Sequence, residues 1–490
     1  MFLQPFALPR QVSLADAEHP PQTNACIHCQ LSRLVDRRGL GTVLRAGRRA
    51  DVHCYDAFHL WESFRHACTM KPEQITTTAH APALAPQYHG DIRVIVFSSL
   101  FPNRSAPAAG VFIKERMFRV ARQVPIIVVA PQPWSPFDAL LRRFRKSFRP
   151  VGATHECVDG IEVYRPRYFS VPAFLKRFDG RFMAIGCLRL MRRLQREFQP
   201  TLIDAHFLYP TGYAASIVAN TLGLPLTITL RGSADEWLIN SNRKHLLRRA
   251  MSDATHLIAV SQALKENVAV ALGQPPAKVT VVGNGVDLDK FMPIARQQAR
   301  AHLNIADDAV VILGIGGLIE RKGFHRVIPI IRTLRRSIPK LRYLIVGGGF
   351  TQGDMRTQLE ELAIKQGVAD IVQFCGPQLP SELQYYYSAA DVFALATAHE
   401  GWANVFLEAL ACGIPIVTTR VGGNAEVIPD ERYGLLVDYW DAQQFEAALL
   451  SALTRHWDQQ AILTYARMNA WPEKIECLMH VLKSASATQR

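Results

Sequence analysis

The stretch from Ala390 to Ile428, ADVFALATAHEGWANVFLEALACGIPIVTTRVGGNAEVI, constrains the fold more than any other part of the chain. ADVFAL is a short apolar run, and IPIVTT is a second one rich in β-branched residues. Between them NVFLEALA has helical spacing and is closed by Gly413 and Pro415. Strand, helix and strand in this order make one βαβ unit, and in such units ligands sit at the carboxyl ends of strands and at helix N-termini. The polar residues cluster there: His399, Glu400, Gly401 and Asn404, then Gly422, Gly423 and Asn424. Glu400 lies in the loop before the predicted helix and Glu408 two turns into it, so one meets whatever lies at the helix mouth and the other reaches a group deeper along it. Singly, a carboxylate at a helix start is commonly a cap, and one further along a solvated face residue.

The chain has 490 residues, enough for two or three domains with sizeable cores, and 49% of them are hydrophobic. No apolar run approaches the roughly 20 residues that span a bilayer, and the N-terminal residues lack a basic start followed by an apolar core, which predicts a cytoplasmic protein. Nine cysteines, scattered and odd in number, fit a reducing compartment. The net charge of +14 calls for an anionic partner. Up to Gly90 there are nine Lys and Arg against seven Asp and Glu, so +12 belongs to the rest of the chain. No recognition helix, finger or aromatic RNA-binding motif is present, which argues against nucleic acid. A nucleotide diphosphate and an anionic membrane surface account for the charge more economically.

Residues 1–90 differ from the rest. They hold Cys26, Cys29, Cys54 and Cys68 and seven of the sixteen histidines, with little periodicity. Cys26 and Cys29 resemble half of a zinc site, but no second pair with ligand spacing follows, and a poorly ordered extension is expected. From Asp91, strands and helices alternate. DIRVIVF is a strand, Gly110 precedes an amphipathic helix, and IIVVAP is a second strand. FDALLRRFRKSFRP interleaves Arg142, Arg143, Arg145, Lys146 and Arg149 with Phe144 and Phe148, a pattern that suits either an anionic membrane surface or a solvated face. The strand TLIDAH ends at His206. LPLTITL ends just before Arg231, which either meets an anionic group or pairs with Asp235. Ser261 is a candidate N-cap. After a linker at 293–308, AVVILGIGGLIERKGF gives a strand, a glycine turn at Gly316 and Gly317, and two cations, Arg321 and Lys322, whose surroundings suit a closely approaching anion. Beyond Asp438 the chain is mainly helical.

The combination EGWANVFLEALACGIPIVTT, VGG and Glu426 resembles the signature of the retaining glycosyltransferases of family 4, and the match is dense over about forty residues. The resemblance, which extends more loosely back to Asp91, implies the GT-B fold: an α/β protein of two facing Rossmann-like domains with a deep inter-domain cleft. It implies an acceptor-side domain at 91–292, a nucleotide-sugar donor domain at 293–455, and helices at 456–490 returning to the first domain. NGVD at 284–287 matches the inter-domain crossing, although Gly283 stands where a proline is common. Carried over residue by residue, the resemblance implies that Glu400 contacts the donor sugar and Glu408 holds the ribose hydroxyls. Asn404 and Val405 face the diphosphate beside Gly401, Gly316 and Gly317, and Arg321 and Lys322 bind it. Residues 374–377 flank the base, His206 faces the cleft, and Gly110 and Arg231 lie on the acceptor side. The implied donor is a UDP- or GDP-sugar and the implied acceptor a saccharide or lipid-linked saccharide, with no cofactor and no metal. A nucleotide-sugar epimerase of the same fold and a catalytically silent nucleotide-sugar-binding subunit are the alternatives.

Overall fold

The computed structural model describes residues 92–488, apart from 108, 145–147, 150–151, 172–174, 233–241, 350–352 and 440. The expectations for residues 1–90, Arg145, Lys146 and Asp235 lie outside the described residues.

The first half of the described chain contributes β1 (Val94–Phe97), β2 (Ile126–Val129), β3 (Gln132–Trp134), β4 (His155–Val158), β5 (Ile161–Tyr164), β6 (Arg167–Phe169), β7 (Leu202–His206), β8 (Leu226–Leu230), β9 (His256–Ala259) and β10 (Val279–Val281). Eight of these form a sheet in the order β10-β9-β8-β7-β1-β2-β5-β4, parallel except for the β4–β5 pair, and β3 pairs with β6 alone. The second half contributes β11 (Val310–Ile315), β12 (Leu341–Val346), β13 (Val372–Gly376), β14 (Val392–Leu395), β15 (Ile416–Thr419) and β16 (Gly434–Val437), all parallel, in the order β13-β12-β11-β14-β15-β16. Strands such as VIVF and VFAL are buried at every residue, as a parallel sheet covered on both faces requires. The strand order reverses between β1 and β7 in the first sheet and between β11 and β14 in the second.

Eight helices position the cleft: α1 (Val111–Val120), α2 (Asp179–Glu197), α3 (Arg296–His302), α4 (Phe324–Ser337), α5 (Pro380–Ala389), α6 (Asn404–Ala411), α7 (Gln459–Met468) and α8 (Trp471–Ala487). Along α4, Phe324, Val327, Ile328, Ile331 and Leu334 recur at helical spacing and are all buried. In α2 the apolar face of Met183, Cys187, Met191 and Leu194 packs into the core of the first half. The segment expected to be a linker carries α3 instead. Its sequence RQQARAH shows no apolar stripe, and the helix is held by Arg300, fully buried, which donates to the Ala389 carbonyl at 3.1 Å and to Asp391 at 3.0 Å. Arg149, expected on either a membrane-facing or a solvated surface, turns inward to Asp138 at 3.2 Å and to the Ser170 carbonyl at 2.7 Å.

The chain leaves the first half after β10 and comes back beside the same place. Val286 pairs with Ala470, and a Cβ on Gly285 would lie 2.7 Å from the Trp471 backbone. Helix α7 stays with the second half, where Ile462 and Ala466 join its core. Among the described residues only α8 crosses back: Trp471, Ile475, Leu478, Met479 and Leu482 pack with Val94, Val96, Ile113 and Met117. Trp471 is the first residue of that seam, and Arg119 lies over its ring at 5.0 Å. Replacing it with alanine is expected to destabilise the protein by about 3–5 kcal/mol, seen as a lower urea midpoint; an unchanged midpoint would show that α8 is not anchored there.

Candidate active site

Open α/β sheets hold ligands at the point where strand order reverses. In the second sheet the loop after β11 brings Gly316, Gly317, Arg321 and Lys322 to that point, and the loop after β14 brings His399, Glu400 and Gly401. Glu400 is where they meet. Its Oε1 accepts from Lys322 Nζ at 2.6 Å and from the Thr397 hydroxyl at 3.0 Å, and lies 3.1 Å from Arg321 Nη1. Arg321 Nη1 also donates to the His399 carbonyl at 2.7 Å. Burial pushes the Glu400 pKa up, but Lys322 and Arg321 outweigh it and hold the carboxyl below the usual range. Gly316 lies against Lys322, whose methylenes would be 3.4 Å from a Cβ there. Two cations and a carboxylate are thus fixed in front of α6, whose N-terminal residues Asn404 and Val405 carry the positive end of the helix dipole.

Because α6 begins at Asn404, Glu408 stands one turn into it, not two. The Tyr387 hydroxyl, from α5, donates to Glu408 Oε2 at 2.8 Å. Here burial dominates: the pKa is pushed up to about 7, with the Tyr387 hydrogen bond opposing the rise and Glu115 across the crossing adding to it.

At the reversal in the first sheet, β7 ends at His206 and β8 leads into Arg231. Asp204 and His206 are two residues apart on an extended strand and face one side. His206 is wholly buried. Its Nδ1 accepts from Arg231 Nε at 3.2 Å, and its Nε2 lies 3.5 Å from Asp204 Oδ2. An arginine only donates, so the ring proton belongs on Nε2, facing Asp204. Burial, aided by Arg231 and Arg116, holds the imidazole pKa well below its usual value and keeps it neutral. Both ring nitrogens therefore face protein groups, and His206 is fully buried where a cleft-facing position was expected. Arg231 extends from it to Asn284 Oδ1 at 3.1 Å and lies 5.3 Å from the Phe112 ring centre. Gly110, at φ +71° with a Cβ position only 2.5 Å from the Leu100 carbonyl, starts the helix that carries Phe112. Gly401 joins the two sets: a Cβ on it would lie 2.6 Å from the Arg231 carbonyl.

Residues 295–468 match the family described as glycosyl transferases group 1, and residues 120–290 match glycosyltransferase family 4. The chain belongs to the group 1, family 4 glycosyltransferases. This glycosyltransferase is 29% identical to TuaC of Bacillus subtilis, named for teichuronic acid biosynthesis, over 75% of this chain and 90% of that one. It is 34% identical to the D-inositol 3-phosphate glycosyltransferase of Corynebacterium urealyticum over 50% of this chain and 60% of that one, so it spans about three fifths of that relative's length. Among solved structures it superposes on sucrose-phosphate synthase of Thermosynechococcus elongatus (TM-score 0.62, 20% identity, 80% of this chain and 98% of that one). It also superposes on HepE of Anabaena in complex with UDP and glucose (TM-score 0.60, 18% identity, 80% and 99%). The fold is GT-B, with the two sheets as its two Rossmann-like domains.

Within this glycosyltransferase the structure gathers Gly316, Arg321, Lys322, Glu400 and Gly401 at one point, and links Gly110, His206 and Arg231 at another. Sequence reasoning missed Thr397, Tyr387, Asp204 and Asn284. Asp204 was visible as a carboxylate two residues before His206, and Asn284 as a polar residue at the crossing. Among the described residues no group of three or more His, Cys, Asp and Glu is placed to hold a metal ion. Glu408 supplies a pH test. An unfolded glutamate titrates near about 4.3, so between there and pH 7 the native state binds more protons and stability falls as pH rises. The stability of Glu408→Gln relative to the parent should rise between pH 5 and pH 8 by on the order of 2 kcal/mol in urea unfolding; a difference that does not move with pH would show an ordinary carboxyl.

Proposed function

We propose that this protein is a retaining hexosyltransferase that moves a sugar from a UDP- or GDP-sugar to a saccharide or lipid-linked acceptor in cell-surface polysaccharide synthesis. It works without a metal or other cofactor, in the cytoplasm or at the inner face of a membrane. The observation that carries the reading is the Arg321–Lys322–Glu400 cluster in front of α6, with Glu408 one turn behind it. Charge develops on the diphosphate as the sugar bond breaks, and Arg321, Lys322 and the α6 N-terminus stabilise it, with the Gly316 and Gly317 backbone alongside. Glu400 orients the sugar, and Glu408 accepts hydrogen bonds from the ribose hydroxyls. The acceptor hydroxyl attacks on the face the diphosphate leaves, giving its proton to the departing phosphate oxygen, so configuration is retained. Gly110 and Arg231 border the acceptor side. The relative named for teichuronic acid biosynthesis and the neighbour bound to UDP and glucose support the glycan and nucleotide-sugar parts of the reading.

A thermal-shift screen against UDP-, GDP-, ADP- and dTDP-sugars, with and without magnesium, tests the donor. One nucleotide series should raise the melting temperature independently of magnesium, and no shift with any of them would sink the reading. With that donor, Lys322→Ala should lower kcat by about 10²–10³. Slow donor hydrolysis without acceptor distinguishes an enzyme from a silent subunit, and an inverted free sugar centre would point to an epimerase.

Membrane contact is supported by exposed apolar residues beside basic ones. Trp134 and Phe169 face each other across the β3–β6 pair, and Phe137 and Leu140 follow on the segment bearing Arg142 and Arg143. Among the described residues no helix is long and apolar enough to cross a membrane. Sedimentation with anionic liposomes at low salt is expected, and loss of binding in Phe137→Ser/Leu140→Ser would locate the surface; a protein that stays in the supernatant does not dock this way.

A further inference from the structure

Asn284 joins the two halves through a hydrogen-bond chain whose direction is set by chemistry. Arg231 has no acceptor atom, so the amide atom of Asn284 that meets its Nη1 at 3.1 Å must be Oδ1. That turns Nδ2 of Asn284 the other way, where it donates to Asn404 Oδ1 at 2.8 Å. Asn404 is the first residue of α6, in front of which Arg321, Lys322 and Glu400 gather. With its Oδ1 engaged, the atom that Asn404 has left to offer is Nδ2, a donor, which has no protein partner among the described residues.

Arg231 donates in the other direction as well. Arg231 Nε donates to His206 Nδ1, which leaves the ring proton on Nε2 toward Asp204 Oδ2 at 3.5 Å. The Thr227 hydroxyl fixes the other oxygen of Asp204 at 2.8 Å. The segment that carries Asn284 is held as well: the Arg116 guanidinium donates to the carbonyls of Val282 and Gly283 at 2.6 and 2.7 Å, immediately before Asn284. The amide of Asn284 therefore has one orientation, and it passes that orientation to Asn404.

We propose that Asn284 is a positioning residue that holds the Asn404 amide with its N–H groups toward the cleft, where they donate to an oxygen of the bound diphosphate. The proposal rests on the nucleotide-sugar reading of the site. It makes Arg231 the donor that sets the orientation of Asn284, and it makes Asn404 a side-chain ligand as well as a helix start. Asn284→Asp reverses the last link. It keeps an acceptor for Arg231 but presents oxygen to Asn404, whose amide must turn its Nδ2 inward and away from the ligand.

The experiment measures affinity by calorimetry for UDP against uridine and GDP against guanosine, in the full chain, alongside melting temperature. In the parent protein one diphosphate binds more tightly than its nucleoside. Asn284→Asp is expected to lower that ratio by about tenfold, the scale of a hydrogen bond to a charged group, with nucleoside affinity and melting temperature unchanged. Asn404→Ala should lower the ratio equally, and adding Asn284→Asp to it should change the ratio by less than about twofold. Asn284→Ala, which adds no charge, is read in the same way and stands in if the aspartate variant does not fold. An unchanged ratio in the Asn284 variants, or a further tenfold loss in the Asn404→Ala background, would overturn the positioning role while leaving the donor site intact. A parent protein that binds none of the four ligands removes the nucleotide-sugar reading itself, and the positioning role with it.

Discussion

Two buried arginines of the first half grip the segment on which both halves meet. Arg116 is 1% exposed and Arg231 8%, and between them they hold the carbonyls of Val282 and Gly283 and the amide of Asn284. Taking a guanidinium out of water is costly: Nε and Nη1 of Arg116 have no hydrogen-bond partner among the described residues, and burial lowers its pKa to about 10. Asp204 supplies the counter-charge: burial pushes its pKa up to about 6, while Thr227 and the two arginines pull against the rise. On the other side of the segment, Gly283 leaves room for the Trp402 ring, which would lie 2.7 Å from a Cβ there, so the departure from the common proline coincides with a tight contact between halves. Glu426 adds a second tie, its carboxylate accepting the Gln262 and Ala263 amides at 2.6 and 2.9 Å across the cleft. These contacts hold the two strand-order reversals facing each other.

The donor-side chemistry then depends on what surrounds two glutamates of one motif. Glu400 faces two cations and is held ionised; Glu408 faces a tyrosine hydroxyl and another carboxylate, and its pKa is pushed up to about 7. The residue type is the same and the separation is eight positions, yet the partners differ in sign. The partners come from elsewhere in the chain: Lys322 and Arg321 from the loop after β11, Tyr387 from α5. A carboxylate fixed between two cations keeps a cationic pocket assembled, and a weakly acidic one deeper in the helix suits neutral hydroxyl donors.

Much of the architecture was legible in the chain. Apolar runs such as VIVF and VFAL, and helix patterns such as Phe324 to Leu334, record burial directly in side-chain spacing, so strands, helices and the βαβ order followed from local sequence. Ser261 as a cap was readable for the same reason, its hydroxyl accepting from Leu264 three residues on. The helix Arg296–His302 was not, because a buried arginine bonded to Asp391 replaces the apolar stripe that periodicity detects. Arg149 likewise reads as surface charge until Asp138 and Ser170 are placed around it.

The sequence by itself determined the two sets of parallel strands, the position of the glycine turns, and the presence of Glu400, Glu408, Arg321 and Lys322 at loop and helix starts. These are local matters, governed by spacing over a few residues. Only the tertiary structure decided which way His206 faces, that Arg231 serves Asn284, and that Asn284 reaches Asn404 from 120 positions away. The physical reason is that a hydrogen bond depends on which donor and acceptor are brought within about 3 Å, and for these groups that is settled by the docking of one sheet against the other.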